Sequence, residues 1–188
     1  MSDLTELRTD PMPEAMRVLL HEHPRDSWEA NPHFRRATKQ WLAAHQMFRD
    51  LGRVIRSETE TYLDRNREAE DYAARLSYYG DAMVRNLHGH QGWEDHSYFP
   101  ELSAADPRFD AGLEILESDH AALDGVLDRF TRAANRTIKL IHLDEAQGRD
   151  EAARVLGEAQ KIEAFLARHL GDEEELAVPI ILEHRLRG

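Results

Sequence analysis

Four stretches of this chain repeat their apolar residues with the 3.6-residue period of an α-helix, and each carries a histidine on that same apolar stripe. The first, over about residues 34–62, aligns Phe34, Trp41, His45, Phe48, Ile55 and Tyr62. The second, over about 68–102, aligns Leu76, Met83, Leu87, His90, Glu94 and Ser97. The third, over about 111–141, aligns Leu113, Leu116, His120, Leu123, Leu127, Ala134, Ile138 and Ile141. The fourth, over about 143–182, aligns Val155, Ile162, Leu166, His169, Glu173, Leu176 and Ile180. No run alternates β-branched and polar residues, so no strand is expected. A chain of 188 residues is long enough for one well-buried core. The pattern predicts an all-α protein: an up-down antiparallel four-helix bundle over residues 34–188, preceded by an N-terminal extension over 1–33.

The polar members of the stripes are the informative ones. His45, His90, Glu94, His120, His169 and Glu173 should all point inward, where an unpaired polar group is costly. Two share a spaced signature, His90-x3-Glu94 with Pro100 and His169-x3-Glu173 with Pro179, so the chain reads as a duplicated helix pair. A His and a Glu four apart lie one turn from each other on one helix face and can grip a single metal centre. Six such groups from four helices exceed the four ligands that close a structural zinc site, and they suit two ions. Imidazole serves iron, zinc, copper or nickel, and a carboxylate can bridge two cations. Glu94 and Glu173 are the expected bridges. Chain order places His45 and His90 on one ion, His120 and His169 on the other. Ligand type leaves zinc and manganese open beside iron.

Composition narrows the partners. The formal net charge of −12 repels phosphate backbones and anionic lipid, so neither nucleic acid nor a membrane surface is an expected partner. A mean hydropathy of −0.67 and the lack of a long apolar run argue against a membrane span. The first residues are acidic and lack the apolar core of a secretory signal. The chain has no cysteine, which removes disulfides, thiolate metal sites and cysteine nucleophiles. A cytoplasmic location is the simplest expectation.

Prolines and glycines mark the joints. Pro100 and Pro107 are expected to bracket the break between the second and third helices, with Asn66 near the turn between the first two. Gln147-Gly148-Arg149-Asp150 reads as a loop, with the fourth helix beginning near Asp150, and Pro179 should bend or end that helix. The extension holds Pro11, Pro13, Pro24 and Pro32 and one short helical stretch, Glu14 to His21, and is expected to pack partly on the bundle.

With these residues in place, the chain resembles the hemerythrin-like (HHE cation-binding) domain family. The resemblance rests on His45, His90-x3-Glu94, His120 and His169-x3-Glu173, with Tyr98-Phe99-Pro100-Glu101-Leu102 and Leu176-Ala177-Val178-Pro179 as similar helix ends. It covers about residues 34–182. It implies a four-helix bundle around two non-haem iron ions, bridged by oxo or hydroxo, that binds dioxygen. In the respiratory members a further His follows one turn after the third-helix His; here that position is Asp124. The departure shifts the expectation from oxygen transport toward storage, sensing or peroxide chemistry. Ferritin-like diiron proteins differ, using Glu-x-x-His pairs and single Glu residues.

The remaining candidates have plainer readings. His21, His23, His33, His88, His96, His142 and His184 read as surface residues, Asp119 and Glu117 as solvated, Glu174 and Glu175 as surface or lying behind the ligands. Trp41 should wall the pocket, while Tyr78, Tyr79 and Tyr98 pack in the core or donate to a bound ligand. Gly89 and Gly92 leave room for a neighbouring helix or a small ligand, or mark a helix irregularity.

Three functions follow as expectations. The first is a diiron protein that binds dioxygen or nitric oxide for storage, sensing or buffering. The second is a diiron enzyme acting on peroxide or oxygen. The third is a metal-dependent regulatory module. A homodimer contact or a separate redox partner would complete the second or third.

Overall fold

The computed structural model describes residues 7–187, and among them every regular element is helical. Four helices are long: α2 (Arg36–Leu63), α3 (Ala69–Trp93), α5 (Asp110–Leu143) and α6 (Glu145–His184). Two are short, α1 (Val18–Glu22) and α4 (Phe99–Ala105). Helix α2 packs on α3 and α6, and α5 packs on α3 and α6, so each long helix buries its apolar stripe against two others. The N-terminal segment lies over α6: its 3-10 turn Glu14–Arg17 and α1 match the helical stretch read near Glu14 to His21. Met12, Leu19 and Trp28 of that segment are buried.

The buried apolar side chains form two clusters. One holds Phe48, Ile55, Tyr62, Tyr72, Met83, Leu87, Leu123, Leu127, Phe130, Ile162 and Leu166. The other holds Trp41, Tyr98, Phe99, Leu116, Leu176 and Ile180 together with Met12, Leu19 and Trp28. On every long helix the candidate ligands fall between members of the two: His45 between Trp41 and Phe48, His90 and Glu94 between Leu87 and Tyr98, His120 between Leu116 and Leu123, His169 and Glu173 between Leu166 and Leu176.

Three joints differ from the sequence reading. Residues 147–150 are helical, not a loop. Asp144 alone separates α5 from α6, and its carboxylate accepts from the Ala146 and Gln147 amides as an N-cap. Gly148 is there for closeness: a Cβ on it would stand 2.9 Å from the backbone nitrogen of Ile141 in α5. Pro179 does not end α6, which continues to His184. Val178, Ile180, Ile181 and Leu182 are all buried, and that burial offsets a proline cost of about 3 kcal/mol inside a helix.

The third difference lies in the second stripe. Between α3 and α4 the chain makes a π-helical turn, Glu94–Tyr98, in which the Phe99 amide donates to the Glu94 carbonyl five residues back. Pro100 has no N–H, and its ring would crowd the carbonyl four residues before it in an ordinary helix. The wide turn relieves that crowding, so Pro100 lies in the first turn of α4 and the break comes at Asp106–Pro107. One added residue also rotates the phase. Ser97, read as inward, is exposed, and Tyr98 takes the buried position. A Cβ on Gly89 or Gly92 would meet open space, so no neighbouring helix approaches there; the irregularity next to Gly92 is the feature they accompany.

Candidate metal centre

The layer between the two apolar clusters contains all six candidate side chains. His45, Glu94 and Glu173 are fully buried, with His120 and His169 nearly so and His90 slightly open. They fall into two pairs. His45 Nε2 lies 3.0 Å from His90 Nε2, and His120 Nε2 lies 3.1 Å from His169 Nε2. Glu94 spans them: Oε1 is 2.8 Å from His90 Nε2, and Oε2 is 3.7 Å from His120 Nε2. Glu173 Oε2 spans them too, 3.5 Å from His45 Nε2 and 3.9 Å from His169 Nε2. One ligand atom from each of His45, His90, Glu94 and Glu173 lies within 4.8 Å of the others.

The outer ring nitrogens explain why the inner ones face each other. His45 Nδ1 meets Glu174 Oε1 at 3.1 Å, His120 Nδ1 meets Asp95 Oδ1 at 2.7 Å, and His169 Nδ1 meets Asp119 Oδ2 at 3.2 Å. Each carboxylate accepts, so each Nδ1 donates and each ring turns its Nε2 inward. In the His120–His169 pair two such nitrogens confront one another. Two nitrogens bound at about 2.1 Å and at right angles to one cation would lie about 3.0 Å apart, which is the spacing seen in both pairs.

The charges point the same way. Burial pushes the Glu173 carboxyl well above the usual carboxylate range, and the charge of Glu94 adds to it. Burial also raises Glu94, but the imidazoles of His45 and His90 outweigh it and hold that carboxyl below the usual range. The two carboxyls therefore compete for one negative charge as long as no cation separates them. Burial brings the His169 imidazole down to about 4 against the pull of Asp119, which leaves it neutral and able to ligate. Glu94 Oε2 and both oxygens of Glu173 are buried without a hydrogen-bond partner. Orphaned buried carboxylate oxygens are costly, and a cation would satisfy them. The donor set, all imidazole and carboxylate, fits iron.

Further side chains surround the layer, some as the sequence pattern suggests and others, such as Asp119 and Asp95, not. Asp119, read as solvated, is buried behind His169 and receives Arg8 and Arg168. Burial raises its carboxyl, but His169, Arg8 and Arg168 bring it below the usual range. Glu174 is buried behind His45 and receives Arg25 and Arg49; against burial, these partners lower it to about 2. Asp95 holds His120. Asp124 is exposed and faces His88 at 3.3 Å, away from the layer. Glu117, His88, His96 and His142 are on the surface. Trp41 does wall the layer, and its indole N–H also donates to Glu94 Oε1 at 2.7 Å. Tyr78 is exposed, whereas Tyr98 is buried with an unpartnered hydroxyl, pushed well above its ordinary value by burial and by the charges of Glu173 and Glu94.

Among the described residues no helix is long and apolar enough to cross a membrane. Comparison with curated proteins and with solved structures gave no match. A family model, the hemerythrin HHE cation binding domain, matches residues 36–181 and so takes in all six side chains of the layer. This chain belongs to the hemerythrin HHE cation-binding domain family.

Proposed function

We propose that this protein holds two non-haem iron ions in the polar layer and binds dioxygen or nitric oxide there. In this reading α2, α3, α5 and α6 form an up-down antiparallel four-helix bundle over residues 34–188, and residues 1–33 extend it. His45 and His90 would hold one ion, His120 and His169 the other, with Glu94 and Glu173 shared between them. The observation that carries the reading is the pair of facing imidazole couples joined by two buried glutamates with orphaned oxygens. A ferrous pair would supply electrons to a diatomic gas on binding and take them back on its release.

The chain's own groups define what the layer accepts. With His45, Glu94 and Glu173 fully buried, the layer is closed to any substrate much larger than a diatomic. Phe48 lies against His90, Phe99 against His120 and Phe165 against His169, an apolar lining that excludes water. The Tyr98 hydroxyl, buried beside Trp41 and lacking a partner, is the free donor for a bound ligand. Oxygen added to the ferrous protein should produce a charge-transfer absorption that disappears under vacuum. An irreversible change on first exposure to air would overturn reversible binding.

A second reading, turnover of peroxide or oxygen at the same centre, is favoured by a row of rings. The Tyr98 ring lies 5.3 Å from that of Trp41 and 4.8 Å from that of Trp93, and Trp93 reaches the surface, a path for electrons from a redox partner. Hydrogen peroxide turnover that vanishes in His120→Ala would establish it, and turnover no faster than that of free iron would remove it.

A further inference from the structure

Two of the carboxylates behind the imidazoles are held from outside the family-matched residues 36–181. The Arg8 guanidinium forks onto Asp119, with Nη2 at 2.7 Å and Nε at 3.2 Å from Oδ2, and Nη2 also reaches Asp172 at 2.8 Å. Asp119 passes the constraint on, because the same Oδ2 accepts from His169 Nδ1. On the other pair, Arg25 Nη1 donates to Glu174 Oε2 at 2.7 Å, while Glu174 Oε1 faces His45 Nδ1. Each carboxylate has a second guanidinium from a long helix, Arg168 for Asp119 and Arg49 for Glu174. The N-terminal arginines are themselves held. Arg25 lies 4.7 Å over the ring of buried Trp28, and Met12 and Leu19 of the same segment are sunk in the apolar cluster below the layer.

We infer that Arg8 and Arg25 are positioning residues of the metal centre: through Asp119 and Glu174 they fix the rings of His169 and His45, one in each imidazole pair. The inference rests on the reading of those histidines as ligands. The physical reason is that a ligating imidazole is oriented by the acceptor on its other nitrogen, and the acceptor orients it only if it is itself immobile. The forked Arg8 guanidinium immobilises Asp119 better than a water or a lysine would, and Arg25 adds one charge-assisted bond that fixes Glu174. Both clamps come from one segment, so that segment is a working part of both halves of the centre. It also places two positive charges beside the layer, which disfavour the more oxidised state of the ions.

The test uses the full chain, loaded with ferrous iron without oxygen, as wild type and as Arg8→Gln, Arg25→Gln, the double variant, Arg8→Lys and Arg17→Gln. Arg17 belongs to the same segment but pairs with Glu175, which touches no imidazole of the layer. Three readouts are taken: iron per chain, the rate at which a ferrous chelator strips it, and the midpoint potential. Each Gln variant should speed stripping of about half the iron roughly tenfold, the double variant should speed all of it, and the potential should fall. Arg8→Lys should restore the potential but not the slow release. Arg17→Gln should leave both unchanged. Unaltered release and potential in the double variant would overturn the inference, as would equal acceleration in Arg17→Gln, which would mean general loosening of the segment. A wild-type chain that holds no iron would instead overturn the ligand reading beneath it.

Discussion

The two apolar regions on either side of the polar layer are built in different ways. In the region around Tyr62, Met83 and Phe130 every buried member comes from the four long helices. The stacked Tyr62 and Tyr72 rings and the Gly148–Ile141 approach close it with regular geometry. The region around Trp41, Tyr98 and Ile180 is pieced together from helix ends, the π-helical turn, α4 and the N-terminal segment. The first region can be formed by helical periodicity alone. The second is where the chain departs from regularity, and its N-terminal segment supplies Arg8 and Arg25, two of the guanidinium groups that hold the layer. Both regions should contribute to stability, whereas iron retention should depend on the second.

The largest expected effect belongs to the layer itself. Glu173→Gln keeps the shape of the side chain but removes the anion that is proposed to bridge, and should weaken iron binding by more than about 100-fold, judged by competition with a chelator. The metal-free variant should melt close to the wild-type temperature, because burial and the charge of Glu94 push the Glu173 carboxyl well above the usual range, and Gln matches that neutral group in shape. Next comes a pair that tests the regional contrast. Phe130→Ala should cost the metal-free chain about 3–5 kcal/mol in denaturant unfolding and leave iron release unchanged. Trp28→Ala should cost a similar amount and also speed iron release, because Arg25 loses its support. Equal release from both variants would erase the distinction.

What is legible in the sequence follows from the same contrast. The stripes carrying His45, His90, His120 and His169 are readable because an inward residue recurs every turn, and the structure places all of these side chains in one layer. Asp95 and Asp119 escape such a reading because each sits beside a candidate ligand in sequence, one step out of phase, and meets its imidazole only across a neighbouring helix; Glu174, read as surface or lying behind the ligands, takes the second of those places against His45. The arginines that hold two of them come from far along the chain, and no local pattern announces such a contact. Ser97 is misplaced by periodicity because periodicity assumes an unbroken helix, and the turn before Pro100 adds one residue. Gly148 reads as punctuation, whereas its role is to admit Ile141.

Smaller effects sharpen the picture at the joints. Gly148→Ala would press a methyl against the Ile141 backbone and should destabilise the chain by about 1–3 kcal/mol without altering metal content. The smallest effect is acid-dependent. Asp106 caps the turn before α5; the Arg108 guanidinium, with help from His184, holds its carboxyl below the usual range despite burial. A carboxyl lowered in the folded state stabilises the fold above its unfolded value of about 4, and that stabilisation is lost as pH falls further. Asp106→Asn should therefore flatten the fall in stability of the metal-free protein below about pH 4 and change little at pH 7. A variant with the same acid limb as wild type would rule Asp106 out as its source.

Anomalous scattering from crystals of the iron-loaded protein, recorded at the iron edge, bears most directly on the centre. Two peaks are expected in the layer, one at about 2.1 Å from the Nε2 atoms of His45 and His90 and one equally near those of His120 and His169. A single peak, or iron seated away from these imidazoles, would contradict the paired centre from which the function is drawn.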